Sequence, residues 1–510
     1  MPVAAASDGS PRLIVRDDTS RKALVMITLS PPTEVSGRSA VLVVDLDGTL
    51  TPVDTLHESV LQIYRLPPAM ALAALRSLQQ GKAAFKRTVA DAVALEHDLL
   101  PLRPEFLEWL SAEHAAGRRI VLVSAADQSI VDEVARRLPF PVEAAIGSDG
   151  LANLSGEAKL ARIQEMVGRD FIYAGDAAVD LPIWRASRGA VLVGRGLRYE
   201  RQLTDIPILA RFPHSTGTIA SWIRALRVYQ WPKNLLVFLP ILLAGPLASW
   251  WDWIEGGLAL SMLCLLASAG YMANDILDLA ADRRHPTKRN RPFASGALPV
   301  AHGVFAIPML LLGALIIGLF LPIASSIVGL AYLSGTLTYS IVLKKIAILD
   351  TIVLAGLFTL RVVAGIVILS VPWSFWLLTF SMFFFLSLAL VKRYTELREV
   401  SLRPERSMKR RGYSVEELPL LLSLGTSAAI ASTVIFVVYL IEEQFSRNIY
   451  ASPGWLWVIF VLLLFWLGRV WQLAVRGQMN EDPLIFALKD RLSHVMGAAT
   501  LLIILLARHA

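Results

Sequence analysis

The chain has 510 residues, 55% of them hydrophobic and 18% charged, and its mean hydropathy is +0.54. So much apolar sequence excludes intrinsic disorder and a lone cytosolic enzyme domain; it needs a very large core or a lipid phase. The single cysteine, Cys264, excludes a disulfide scaffold and a cysteine-rich metal site, and the formal charge of +7 takes its meaning from where the charges sit. Residues 1–37 are small and polar with little periodicity, and are expected to form a disordered leader. Residues 38–200 read as a soluble α/β domain, residues 201–233 as a linker with an amphipathic approach to a membrane, and residues 234–510 as a transmembrane domain.

In the first domain the apolar run VLVV ends at Val44 and continues as DLDGTLT. Such a run fits a strand buried on both faces, and sites in open α/β sheets form at the carboxyl ends of strands. Asp45 and Asp47 fall there. A second strand, Arg119–Val123, ends in Ser124, Lys159 follows in GEAKLARI, and a third strand runs into GDAAVD, which contains Asp176 and Asp180. Residues 55–105 read as a small helical cap. These four motifs, in this order, resemble the haloacid dehalogenase superfamily of Rossmannoid phosphatases. The resemblance implies that Asp45 is the nucleophile, Asp47 the general acid/base, and Ser124 and Lys159 the ligands of the phosphoryl oxygens. It further implies that Asp45, Asp47 (through its carbonyl), Asp176 and Asp180 form an Mg2+ site. Clustered carboxylates repel unless a cation bridges them, and Mg2+ suits carboxylates together with a phosphate.

Apolar runs recur near 234–250, 256–273, 303–321, 323–343, 349–369, 375–391, 418–440, 453–474 and 493–507, which predicts nine membrane helices in an all-α bundle. Alternate loops carry the basic residues: Arg283, Arg284, Lys288, Arg289 and Arg291, then Lys344 and Lys345, then residues 392–411, then Arg476, Lys489 and Arg491. The intervening loops hold only Arg447. This positive-inside pattern predicts a multi-pass protein of the inner (plasma) membrane, with its N-terminal domain in the cytoplasm and its C-terminus outside. It accounts for most of the positive charge and argues against nucleic acid.

The second run leads into NDILDLAADRRHPTKRNRP. On a continuous helix Asp275, Asp278 and Asp282 fall within roughly 60° of one another. Three carboxylates on one stripe at a membrane helix end are costly unless a cation binds them, and bound Mg2+ then grips a diphosphate. Lys288 and Arg291 follow as phosphate partners. Asp350 and Arg361 lie within an apolar span, where charge is expensive and usually functional. Lys233, Lys344, Lys392 and Arg393 cluster near the predicted cytoplasmic helix ends.

The NDxxDxxxD signature resembles the UbiA superfamily of intramembrane transferases over roughly residues 222–508. The segments RVYQWPKNLLVF, HPTKRNRP, YSIVLKKIAILD, KRYTEL and DPLIFALKDRLS are most similar to its decaprenyl-phosphate phosphoribosyltransferase branch. That resemblance implies transfer of 5-phosphoribose from phosphoribosyl pyrophosphate (PRPP) to a polyprenyl phosphate. Catalytic Asp275 and Asp278 would hold Mg2+ with Asp282 and Asp350; Lys233, Asn274, Lys288, Arg291, Lys344, Arg361, Lys392 and Arg393 would bind substrate. Asp482, Lys489, Asp490 and Arg491 carry the branch's C-terminal pattern. Position 354 is Leu where the aromatic prenyltransferases usually carry a second aspartate pair, which weakens a prenyl-diphosphate donor. The fused phosphatase would remove the 5-phosphate from the lipid product. The rival readings are an aromatic prenyltransferase with a separate phosphatase, and a transporter or lipid-binding module with an attached phosphatase.

Overall fold

The computed structural model describes residues 40–63, 66–93, 99–150, 153–213, 217–244, 248–369, 373–402, 412–445, 450–479 and 482–509. The expected leader and the basic residues Arg403, Arg406, Lys409, Arg410, Arg411 and Arg447 lie outside them. The chain divides into two compact units: Met1–Trp222 with Asp278–His302, and Ile223–Leu277 with Gly303–Ala510.

The first unit begins with β1 (Val41–Val44), followed by α1 (Thr55–Val60), α2 (Pro68–Arg76), α3 (Lys82–Ala92) and α4 (Pro104–Ala115). Then come β2 (Ile120–Asp127), α5 (Gln128–Arg137), β3 (Ala144–Ser148), α6 (Glu157–Val167), β4 (Phe171–Gly175), α7 (Leu181–Ala186), β5 (Gly189–Val193) and β6 (Ile208–Phe212). The strands form one sheet in the order β3-β2-β1-β4-β5-β6. Every pairing is parallel. All four side chains of β1 are buried. Leu42 and Val44 enter a core with Phe106 and Val131, while Val41 and Val43 enter one with Ile163 and Trp184. This is the alternation that a sheet covered on both faces requires. The helices between β1 and β2 include a small cap built on Ile63, Ala74, Phe85, Val89 and Val93. Strand β6 falls inside the segment expected to be a linker, because the alternating ILARF run pairs with β5.

Helix α8 (Ile219–Ala225) spans the change of unit at Trp222. In the second unit Val228–Val237 is 3-10, with Pro232 inside it, and leads to α9 (Phe238–Ala244). There follow α10 (Trp250–Leu277), α11 (Leu279–Arg284, in the first unit), α12 (Val300–Gly318), α13 (Ile323–Ile341), α14 (Leu349–Leu369) and α15 (Phe375–Leu402). The chain finishes with α16 (Leu418–Tyr439), α17 (Trp457–Arg476), α18 (Pro483–Lys489) and α19 (Arg491–His509). Helix α15 packs on α14 and α16, and α10 packs on α13. One core gathers Leu388, Val391, Leu421 and Trp471, and another gathers Met262, Leu263, Val328 and Tyr332.

Among the described residues, 7 helices are long and apolar enough to cross a membrane. The chain is therefore a multi-pass membrane protein with a helical bundle. Two of the nine expected spans are not among the seven. The first, expected at 234–250, is 3-10 as far as Val237 and continues as the seven-residue α9, too short to cross. The fourth, Ile323–Ile341, is a 19-residue helix whose serines and threonines lower its hydropathy.

Candidate functional site

The loop after β1 makes the first crevice. Gly48 has φ +75, and a Cβ there would collide with the Asp176 carboxylate, so only glycine lets this loop close on Asp176. Asp45 ends β1 and Asp176 ends β4, neighbours at the point where the strand order reverses. That crevice is where open α/β sheets bind ligands.

Lys159 Nζ lies 2.7 Å from Asp45 Oδ1, and both side chains are buried. The Leu46 amide donates to the same oxygen at 2.8 Å. Asp47 accepts from the amide and hydroxyl of Thr55 at 3.0 and 3.2 Å. Asp176 accepts from the exposed Arg195 at 3.3 Å. Asp180 accepts the Tyr173 hydroxyl at 2.9 Å and the Asp176 and Ala177 amides at 3.3 and 3.1 Å, which fixes the GDAAVD loop. Asp45, Asp176 and Asp180 are the only His, Cys, Asp or Glu group of three or more among the described residues whose ligand atoms all lie within 4.8 Å. Ser124 is buried and its hydroxyl accepts the Ala126 amide at 3.1 Å. Its strand runs on to Asp127 through a register shift instead of ending at Val123.

Burial and the neighbouring acids Asp54 and Asp45 push Asp47 up to about 8. Burial and Asp45 push Asp176 up to about 7. Burial also raises Asp45, outweighing the opposing Lys159. A set of oxygen donors that resists ionisation in this way fits a divalent cation, whose charge offsets that cost. Two side chains that sequence reasoning missed complete the crevice. Arg103 donates to the carbonyls of Thr49 and Gly48 at 2.9 and 2.7 Å and braces the nucleophile loop. Lys86, from the cap, donates to Ala125 O and Asn153 Oδ1 at 2.6 and 2.7 Å. Neither belongs to a local motif; each reaches its partner across dozens of residues.

The acidic motif of the membrane half is divided. Helix α10 ends at Leu277 and α11 starts at Leu279, with Asp278 between them in a non-helical conformation. The three aspartates therefore do not share one continuous helix, as the sequence predicted. In the second unit, Arg227, itself at φ +51, donates to the buried Asp275 at 2.5 Å. Lys344 reaches Asn274 at 3.4 Å. In the first unit, Asp282 holds Arg291 at 2.6 Å, and Lys288 sits on the following 3-10 turn.

Other candidates in the second unit form two clusters. Lys233 and Lys392 both donate to Asp482 Oδ2, at 2.9 and 3.3 Å. Burial would raise Asp482, but Lys392 and Lys233 hold it down to about 2. A cavity of about 320 Å3 lies beside them, lined by Lys392, Glu396, Arg398, Glu399 and Asp482. Arg361 is buried deep in the bundle; it donates to Asn234 Oδ1 at 2.7 Å, Leu357 O at 2.5 Å and Tyr332 Oη at 2.9 Å. Asp350 is fully buried. One of its oxygens pairs with Arg393 and the other accepts the Tyr413 hydroxyl at 2.5 Å. Arg393 also reaches Glu396 at 2.6 Å and donates to Tyr339 Oη at 2.9 Å.

An acidic crevice at the strand ends of a Rossmannoid unit, joined to a bundle bearing a divided acidic motif, defines a membrane-bound enzyme of phosphate chemistry. Residues 235–489 match the UbiA prenyltransferase family, and residues 42–185 match the haloacid dehalogenase-like hydrolases. The chain belongs to the UbiA prenyltransferase family and carries an N-terminal haloacid dehalogenase-like domain. It is 38% identical over 463 residues to the uncharacterized protein y4nM of Sinorhizobium fredii, covering 90% of each chain. It is 30% identical over 292 residues to the decaprenyl-phosphate phosphoribosyltransferase of Mycolicibacterium smegmatis, covering 54% of this chain and 89% of that one. A solved UbiA homologue from Archaeoglobus fulgidus, bound to GPP and Mg2+, aligns at 15% identity and a TM-score of 0.44, covering 56% of this chain and 99% of that one.

Proposed function

We propose that the chain is a bifunctional enzyme that makes a polyprenyl-phosphoryl-ribose in two steps. The observation that carries this reading is the buried Lys159–Asp45 pair with Asp176 and Asp180 gathered around it, in the same chain as a UbiA-family bundle. The similarity of that bundle to decaprenyl-phosphate phosphoribosyltransferases supports PRPP and a polyprenyl phosphate as substrates.

In the transferase step an oxygen of the lipid phosphate attacks C1 of the phosphoribose and pyrophosphate leaves. The nucleophile is already anionic, so no strong general base is required. Asp275, Asp278 and Asp282 would hold Mg2+, which neutralises charge on the departing pyrophosphate. Asn274, Lys288, Arg291, Lys344, Lys233 and Lys392 would bind phosphate groups, and Arg361 would face the lipid phosphate from within the bundle. The apolar bundle houses the isoprenoid tail.

In the phosphatase step Asp45 attacks the 5-phosphate and the sugar hydroxyl leaves with a proton from Asp47. Water then hydrolyses the aspartyl-phosphate, with Asp47 taking its proton. Lys159 and Ser124 hold the phosphoryl oxygens. Asp45, the Asp47 carbonyl, Asp176 and Asp180 would hold Mg2+, which neutralises phosphoryl charge. Fusion raises the concentration of the first product at the second site.

The proposed topology has nine passes, the seven apolar helices joined by the runs near 234–250 and 323–343. The N-terminal domain is in the cytoplasm of a plasma-membrane protein and the C-terminus is outside.

The test supplies purified chain with PRPP, Mg2+ and a polyprenyl phosphate and follows the lipid by mass spectrometry. Ribosylated lipid is expected, and Asp45→Asn should accumulate its 5-phosphorylated form. No ribosylated lipid overturns the transferase step. An Asp45→Asn product identical to wild type overturns the coupling. A prenyl diphosphate that out-competes PRPP as donor would favour the aromatic prenyltransferase reading.

A further inference from the structure

Glu58 is a buried carboxylate that the phosphatase chemistry does not use. It lies on α1 and is only 3% exposed. Its two oxygens accept from Arg283 Nη1 at 2.6 Å and Nη2 at 2.5 Å. The same guanidinium donates through Nε to Ala294 O at 3.0 Å. Arg283 belongs to α11, inside the acidic motif of the membrane half, yet this stretch of chain packs within the first unit. Further contacts fix it there. Gly296, at φ +76, lies so close to Pro52 and Val53 that a Cβ would meet them at 2.6 and 3.0 Å. The Gly217 amide donates to Ala297 O at 3.0 Å. Trp222 stacks on His302, and Phe293 and Leu298 are fully buried.

A forked arginine–carboxylate pair fixes orientation as well as distance. Buried, it is costly to break from one side, because the surviving charge stays desolvated. Arg283 directly follows Asp282, which holds Arg291, and Lys288 lies five residues on. The segment that bears the proposed PRPP ligands is thus gripped by a carboxylate of the phosphatase domain.

We propose that Glu58 and Arg283 are positioning residues for PRPP: the phosphatase domain supplies the anchor that sets the transferase's phosphate-binding segment. This rests on the phosphoribosyl transfer proposed above. Glu58 touches no substrate and acts through Arg283. The other end of α1 has its own anchors, the Asp54 cap on the His57 amide at 3.0 Å and the Thr55 bonds to Asp47. A neutral isostere at position 58 therefore leaves the phosphatase crevice assembled.

The test uses full-length Glu58→Gln and Arg283→Lys in nanodiscs, singly and together. Glu58→Gln is expected to raise KM for PRPP at least tenfold, with kcat at saturating PRPP within threefold of wild type. Hydrolysis of p-nitrophenyl phosphate should stay within threefold. Amide hydrogen exchange should rise in residues 279–298. The double variant should be no worse than the more impaired single variant, because both break the same fork. A KM for PRPP within twofold of wild type overturns the proposal. So does a parallel collapse of both activities, which marks the pair as a fold element only. A wild type that forms no ribosylated lipid fails the transferase reading itself, and raised exchange in Glu58→Gln would then assign the pair a structural role alone.

Discussion

Replacing Lys159 with methionine removes the cation that pairs with Asp45 while keeping most of the apolar stem. The two charged atoms are 2.7 Å apart and buried. At that separation and an effective dielectric near 20, Coulomb attraction is about 6 kcal/mol. Desolvation offsets part of it, and breaking such a pair from one side typically costs about 3–5 kcal/mol. In catalysis the loss appears twice. A preorganised cation no longer faces the phosphoryl oxygens, which typically costs about 10²–10³-fold. Asp45, already raised by burial against the pull of Lys159, rises further and spends more time protonated and non-nucleophilic. The expected result is a fall in kcat/KM for p-nitrophenyl phosphate of about 10²–10³-fold with full-length protein in nanodiscs. The acidic limb of the pH profile should shift upward, and PRPP-dependent lipid ribosylation should be unchanged. Phosphatase activity within threefold of wild type, in a variant with the wild-type melting temperature, would refute the assignment of Lys159 to the reacting group.

Four other outcomes follow from particular positions. Arg103→Leu removes both donors to the Gly48 and Thr49 carbonyls and should lower phosphatase turnover about tenfold or more, at about 1–2 kcal/mol for the pair of bonds, without affecting transfer. Asp482 has its folded pKa depressed to about 2 by Lys392 and Lys233. Its stabilisation, about 2 kcal/mol, is complete above about pH 4 and is lost as pH falls through about 2. The melting-temperature gap between wild type and Asp482→Asn in detergent should therefore shrink over that window; a constant gap would contradict the pairing. Gly425 faces the Trp471 ring so closely that a Cβ has no room, and that Cβ would also lie 3.2 Å from Leu390 Cβ. Gly425→Val should destabilise by about 1–3 kcal/mol in thermal unfolding. Gly356→Ala, where nothing lies within 4 Å, should be close to neutral.

The phosphatase crevice was legible because its chemistry sits at strand ends, and strand ends are visible as local apolar runs. Asp45, Ser124, Asp176 and Asp180 each follow or neighbour such a run, whereas Lys159 stands in the first turn of α6. The bundle was legible wherever twenty apolar residues are uninterrupted. The run at 234–250 was read as one helix, but it is 3-10 as far as Val237 and α-helical only over Phe238–Ala244. Pairings across long separations leave no local trace. Arg361 meets Asn234 across 127 residues, and Asp350 meets Arg393 across 43. The periodicity of NDILDLAAD likewise gives no sign that the helix breaks at Asp278.

The placement of Asp278–His302 within the first unit has a consequence for taking the molecule apart. The two halves are interlaced along the chain and not strung end to end, so no single cut separates them. A fragment beginning at residue 223 would leave Arg283 facing no acid. A fragment ending at residue 222 would leave Glu58 buried without its cation, and Pro52 and Val53 without their contact to Gly296. Moving either stretch onto a foreign partner requires the clasp between Glu58 and Arg283 to be rebuilt with it.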